Sequence, residues 1–472
     1  MGGPGRVLLL IALSAAGAGA QTVTAGLENV TRVESWSFFT PPPAQGNPRY
    51  TFPATRVRFG VDVETDRMAL AGAFNYVRAE NLPPDAIGPL ALGSGGFYYF
   101  SAGVPYSYQL YLSELTLTLF PADRRFAVKA GRMSYGSGVE ASSRDSRIDE
   151  VMRLRLDGRL IGDFNWSMYQ RRFDGARADA TGDGWQATAA VMMPTQGGYE
   201  ESANLTMSRL LVAGGALALR PGVALPSSEV QVFAYSYRDR REVQARPDNT
   251  AIPAPAADVT ITAVGGSQAG AFTTRTGDFD TVVWAAGEFG DWYGQPHRAW
   301  SVTAEAGHRW TATALRPWLR GGALIASGDD DPLDDRHGTF FPMLPNARTY
   351  ALSAVYTPMN LRDLFAQVLL EQPNHWRGRV DLHRIDLASP ADRWYHGSGA
   401  TARNGLFFGF SGRPSNGETS LGTILEGTLD VRLAKYWSMN GYLGRMWGGD
   451  VVRASFTGDR LWFWYLENVL GF

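Results

Sequence analysis

The chain has 472 residues, no cysteine and a formal net charge of −2, from 44 Lys plus Arg against 46 Asp plus Glu. Without cysteine there are no disulfides, thiolate metal centres, c-type haem attachments or cysteine nucleophiles. The near-zero total says little about partners, and its length fits one large all-β unit as readily as two or three ordinary domains.

At the N-terminus, Arg6, the apolar run Val7 to Leu13 and the small residues ending Ala18-Gly19-Ala20 have the layout of a cleavable secretory signal over 1–20. The mature protein is expected to begin at Gln21, and no Pro/Ser linker divides 21–472, which reads as a single domain. Nowhere after the signal do about 18 apolar residues run without a charge, which excludes a membrane-spanning helix.

The commonest local pattern is about ten residues of alternating polarity closed by a turn, the repeated mark of a membrane β-barrel. In Arg56-Val57-Arg58-Phe59-Gly60-Val61-Asp62-Val63-Glu64 the odd positions are apolar and the even ones charged or Gly. One face therefore suits lipid and the other water. Gly422 to Ala434 repeats the pattern, with Leu425, Leu429 and Leu433 opposed to Glu426, Asp430 and Arg432.

In chain order the expected strands are 28–38, 55–65, 67–78, 107–120, 125–134, 162–178, 184–194, 203–219 and 229–238, followed by 258–268, 279–290, 298–310, 316–326, 363–372, 379–388, 421–434, 436–447 and 460–472. That makes an all-β, transmembrane antiparallel barrel of about eighteen strands. Short turns such as Pro121-Ala122-Asp123-Arg124 fall on one side; the long segments 79–106, 135–161, 239–257, 327–362, 389–420 and 448–459 fall on the other. Short periplasmic turns and long extracellular loops alternate in this way in outer-membrane barrels. Segment 349–357 reads either as loop or as a strand within it.

The last strand ends at Phe472, and steps of two backward give Leu470, Asn468, Leu466, Trp464 and Trp462. An apolar stripe closed by a terminal aromatic resembles the sorting signal read by the barrel-assembly machinery, with Asn468 as a departure. Trp284, Trp292, Trp300, Trp310, Trp437 and Trp447 lie near expected strand ends and suit interfacial girdles.

Several segments, in order over roughly 110–472, resemble the alginate-export family of outer-membrane porins. Ala130-Gly131-Arg132-Met133-Ser134-Tyr135-Gly136 is similar to the family's G-R-Q element, with Met133 in place of Gln. Gly158-Arg159-Leu160-Ile161-Gly162 and Arg172-Phe173-Asp174-Gly175-Ala176-Arg177 resemble R-L-I-G and R-x-F-D-G-x-R. Ala326-Ser327-Gly328-Asp329-Asp330-Asp331-Pro332, Thr339-Phe340-Phe341-Pro342-Met343-Leu344-Pro345 and Trp394-Tyr395-His396-Gly397-Ser398-Gly399 continue the likeness. The resemblance implies a monomeric eighteen-stranded barrel in the bacterial outer membrane, its narrowed, Arg-rich lumen passing an anionic polysaccharide such as alginate, or related sugar acids, by passive diffusion.

Such a path needs cations that hold a carboxylate and let it go, and the planar fork of Arg does both. Of the basic residues only Lys129 and Lys435 are lysine, a bias that a GC-rich genome or a guanidinium-lined path would each produce. The candidate pore-lining residues are Arg132, Arg159, Arg171, Arg172, Asp174, Arg177, Arg320, Arg379 and Arg432. They centre on 144–177, on the premise that loop 135–161 folds inward; the alternative is a solvated loop whose charges pair among themselves. Water-facing wall positions are mixed, with Arg56, Arg58, Arg309, Arg320, Arg379 and Arg432 against Asp62, Glu64, Glu305, Asp363, Glu371, Asp381, Glu426 and Asp430. That balance leaves room for a less selective porin for small nutrients.

Asp329 to Asp335 lacks the spacing of a calcium loop and reads as an outer turn set by Gly328 and Pro332. The six histidines form no metal-ligand spacing, and no nucleophile constellation stands out. No catalytic, metal or cofactor site is expected, and no nucleic acid. The expected partners are outer-membrane lipid and lipopolysaccharide, the permeant, and the barrel-assembly machinery through Phe472.

Overall fold

Alternating polarity resolves into eighteen antiparallel strands, each paired with its sequence neighbours in the sheet. The computed structural model describes residues 22–89, 91–249, 256–346 and 348–472, so the signal expected at 1–20 and the start at Gln21 lie outside the described residues. The barrel strands are β1 Thr22–Ser37, β2 Arg49–Glu64, β3 Met68–Glu80, β4 Tyr106–Leu119, β5 Phe126–Met133 and β6 Phe173–Thr181. They continue as β7 Trp185–Pro194, β8 Leu210–Leu219, β9 Ser228–Asp239, β10 Val259–Thr273, β11 Asp278–Trp292 and β12 Gln295–Arg309. The last six are β13 Trp318–Ala326, β14 Leu361–Gln372, β15 Trp376–Leu387, β16 Ser420–Ala434, β17 Trp437–Gly448 and β18 Arg460–Gly471.

β1 pairs with β2 on one side and β18 on the other, so closure removes the free edge that an open sheet would expose. Leu27 N–H donates to Phe472 O at 3.1 Å and Phe472 N–H returns a bond to Leu27 O at 2.8 Å. On β18 the alternation is strict at the outer end: Trp462, Trp464 and Leu466 face outward, and Leu461, Phe463 and Tyr465 are buried inward. Asn468 interrupts the apolar stripe because it serves the girdle: Trp437 Nε1 donates to its Oδ1 at 2.5 Å. Trp300, Trp437 and Trp447 are exposed on the outward face, whereas Trp284 and Trp292 point inward and are buried. The expected girdle positions 284 and 292 are thus corrected to interior packing, Trp284 stacking on Phe233 and Trp292 on His337.

The main boundary corrections have physical causes. Residues 162–172 are not the start of a strand, since Arg171 and Arg172 bond to other loop segments, and the strand runs Phe173–Thr181. Likewise 203–209 is loop and β8 begins at Leu210. Segment 349–357 forms no strand. β11 and β12 are joined on the long-loop side by only Tyr293 and Gly294, an exception to the alternation of short and long connections. Among the described residues, three helices that alternation could not announce lie in the long loops: α1 Gly93–Ala102, α2 Ser146–Arg155 and α3 Asp450–Ser455.

Candidate channel interior

The loop between β5 and β6 folds into the barrel, and each turn of α2 is fastened to the wall by charge. Asp145 caps α2 by accepting from the Arg147 backbone N–H at 2.9 Å. Arg147 then reaches Asp278 at 2.8 Å, and Glu150 bridges Arg309 at 2.7 Å and Arg377 at 3.0 Å. Arg155 grips Glu305 on β12 through Nε at 2.7 Å and Nη2 at 2.9 Å. Glu305 also meets Arg159 at 3.2 Å and Arg320 at 3.4 Å, giving a buried cluster of three guanidiniums around one carboxylate.

Beyond α2 the loop interlocks with two others. Gly162 N–H donates to Leu344 O and Leu344 N–H to Leu160 O, both at 2.8 Å, a short parallel pairing inside the barrel. Asn346 fits against both glycines of the Gly158-to-Gly162 element. A Cβ at either would come within 2.3 Å of its amide group, and Gly158 also has φ +67°. Only glycine fits there. Arg171, 1 % exposed, donates to four backbone carbonyls: Gly162 and Leu344 at 3.2 and 3.0 Å, Ser398 and Ala400 at 2.6 and 3.1 Å. One side chain thereby ties together the loops that follow β5, β13 and β15.

The sequence-predicted residues do not converge on one opening. Arg159, 2 % exposed, donates to Arg155 O, to the hydroxyls of Thr303 and Tyr350, and to Glu305. Arg172 meets Asp163 at 3.2 Å and Gln170 at 2.7 Å. Arg177 faces inward, chelating Asp179 and donating to Glu140 O at 2.8 Å. Arg320 is held by Asp280, and Arg379 by Asp381. Arg132 and Asp174 are corrected: they form a two-bond pair at 2.7 Å on the outward register, because Leu115 lies opposite Arg132 and the inward positions go to Met133 and Phe173. Arg432 stands at the periplasmic mouth.

That mouth opens into a vestibule of about 560 Å³, whose charged lining includes Glu371, Arg377, Asp430, Arg432 and Glu467. Wall charges are mixed and mostly paired, as with Arg56 and Glu28 at 3.1 Å and Arg58 and Glu114 at 2.6 Å. One inward step above Asn440 and Glu467 come Tyr442 and Tyr465. Over them sits Arg348, which sequence reasoning missed. Its guanidinium lies 4.7 Å from the ring centre of Tyr442, 4.9 Å from Tyr465 and 5.2 Å from Trp166. Its Nε and Nη2 are buried without an acceptor. The only sequence signal was its place three residues after Pro345 in the aromatic-proline element. Beyond Arg348 a small cavity of about 30 Å³ is lined by Arg159, Asn346, Arg348, Tyr350 and Tyr356.

The acidic stretch from Asp329 acts as a turn. Asp329 accepts from Asp331 N–H at 3.2 Å and Gly338 N–H at 3.3 Å. Among the described residues, the group close enough to converge on one cation is Asp381, His383 and Glu426 in the barrel wall, not this stretch. In the outer loop after β15, Asp392 accepts from Thr339 Oγ1 at 2.5 Å, Tyr395 Oη at 2.6 Å, Arg393 N–H at 2.7 Å and Asp329 N–H at 3.0 Å. Burial outweighs these donors and pushes its carboxyl up to about 6 from the ordinary 3.8. The folded loop then binds the proton more tightly than the unfolded one, so stability is gained as pH falls through 6 toward 3.8 and withdrawn as it rises. Hydrogen exchange around 388–400, corrected for intrinsic rates, is expected to be slower at about pH 5 than at about pH 7.5; the opposite order would show that the four donors prevail.

No curated protein sequence matches the chain. Among solved structures, Pseudomonas aeruginosa OpdK with vanillate aligns at TM-score 0.56 and 8 % identity, over 95 % of this chain and 98 % of that one. P. aeruginosa OccK2 (OpdF) in complex with glucuronate aligns at 0.56 and 9 %, over 96 % and 99 %. Acinetobacter baumannii OccAB4 aligns at 0.55 and 7 %, over 96 % and 99 %. At these identities the likeness is one of fold. The sequence model described as alginate export matches residues 152–460, more than half of the chain. With its closed eighteen-stranded wall the protein is an outer-membrane, porin-like channel, and the chain belongs to the alginate export family.

Proposed function

We propose that the channel passes an anionic polysaccharide such as alginate, or a related sugar acid, by passive diffusion through an Arg-containing constriction. Arg348 is the observation that carries the reading. Most interior arginines spend their donors on carboxylates or carbonyls, while Arg348 keeps two buried N–H groups without an acceptor above the vestibule. A carboxylate arriving from Arg432 and Arg377 would find those donors, with the small cavity beyond them. Vanillate and glucuronate, named with two of the aligned barrels, are both small carboxylates, which supports the ligand class. The barrel acts as a monomer, exported by the N-terminal signal and delivered to the assembly machinery by its Phe472 strand.

Reversal potentials in planar bilayers test this. The wild type is expected to favour anions and to be blocked by oligouronates; Arg348→Gln is expected to lower the anion-to-cation permeability ratio several-fold with the barrel intact. A wild-type pore that prefers cations and ignores oligouronates would overturn the reading. The paired wall charges favour a second one, a less selective porin for small nutrients, and an unselective wild type would support it.

A further inference from the structure

We propose that the outward face of β17 and β18 binds the phosphorylated headgroup of an outer-leaflet glycolipid of the lipid A class, with an acyl chain in the hollow beneath it. In the register of the two strands Arg445 lies opposite Trp462 and Trp447 opposite Arg460. The four side chains form a block of two guanidiniums and two indoles on the lipid-facing side. The Arg445 guanidinium is 4.6 Å from the ring centres of both Trp447 and Trp462, and its Nε is buried without an acceptor. Among the described residues neither Arg445 nor Arg460 forms an ion pair. Arg384 and Arg78 on the same outer face pair with Asp386 and Glu80, whereas among the described residues Arg238, Arg298 and Arg362 do not; what sets Arg445 and Arg460 apart is their adjacency and their indoles.

Position selects the leaflet. Arg445 is three residues from the outer end of β17 and Arg460 is the first residue of β18, so both stand at the level of the outer headgroups. A cation facing lipid is tolerated at that level and strongly disfavoured at the midplane. Two adjacent cations without acids need an anion from the membrane itself, and indoles flanking them suit the boundary between sugar-phosphate and acyl chain. Toward the midplane the same face opens into an apolar hollow of about 970 Å³ between Leu425, Leu429, Leu443, Trp464 and Leu466. Gly427 and Gly441 form its floor, and a Cβ at 441 would meet only Leu466 Cδ1, at 3.9 Å. Phosphate recognition and a chain-sized groove together specify an acylated phosphate rather than a free one.

Native mass spectrometry of the full-length barrel, stripped of co-purified lipid in detergent, tests the site. Titration with bisphosphorylated lipid A should leave lipid bound to the wild type, with affinity lowered at least about tenfold, about 1.4 kcal/mol, in R445Q/R460Q. R384Q should bind like wild type. G441L, which fills the hollow and leaves both arginines, should also weaken binding. Heat-modifiable gel migration identifies any variant that fails to fold. Equal retention by R445Q/R460Q, equal binding of dephosphorylated lipid A or phosphatidylethanolamine, or displacement by inorganic phosphate at matched concentration would each overturn the proposal.

Discussion

Glu305→Gln is expected to open the pore. The wild-type carboxylate is buried and shared by Arg155, Arg159 and Arg320, and among the described residues it is the one acid within ion-pair distance of Arg155 and Arg159. An amide brings one acceptor and two donors to a site where every neighbour is already a donor, leaving buried guanidiniums uncompensated. Breaking a buried pair in this way costs about 3–5 kcal/mol. The wall does not absorb that cost, because β12 keeps its backbone ladders to β11 and β13. The docked loop does, since its inner end is fixed by these contacts. Single-channel recording should show conductance raised several-fold with large current fluctuations as α2 leaves the wall. Asp278→Asn, which removes a more exposed contact to the same helix, should change conductance little, as exposed pairs contribute about 0–1 kcal/mol. Unchanged conductance in E305Q would show that the loop is held by packing alone.

Arg171→Ala should unlock the outer half of the plug. Its acceptors are all backbone carbonyls, drawn from three loops far apart in sequence. Deleting the guanidinium leaves the buried carbonyls of Gly162, Ser398 and Ala400 unpaired and Leu344 O with only the Gly162 N–H, and each orphaned acceptor costs about 1–3 kcal/mol if water cannot reach it. Water will reach it by parting the loops. Limited proteolysis should cut within 388–419 at least several-fold faster than in wild type, with barrel migration on gels unchanged. Arg171→Lys should fall between, since an ammonium has three donors and no planar fork. Wild-type cleavage rates in R171A would refute the tie.

Barrel architecture was legible in the sequence because lipid imposes it. A face that meets hydrocarbon must be apolar at every second residue, so strands such as β2 and β18 declare themselves residue by residue. Their ends did not, as with 162–172, because alternation says nothing about where a chain leaves the ladder to bond with another loop. The inward fold of the loop after β5 was one of two readings that its charges allowed, the other being a solvated loop paired within itself. Which arginine keeps free donors was not legible. Arg159 and Arg171 look like Arg348 in sequence, and only the acceptors around them separate a structural guanidinium from an open one. Arg132 shows the reverse failure: a motif marks the residue, but a single step in register decides whether it faces water or lipid.

The Arg171 tie also bears on the order of assembly. It joins segments 173 and 229 residues apart in the chain, and contacts of such separation form late, after closure of the intervening chain. The seam that shuts the wall is longer-range still, since it pairs Ser37 with Trp462 and Glu28 with Gly471. By the same measure the tie can form before the seam, so the order of the chain does not require an empty barrel ahead of the plug.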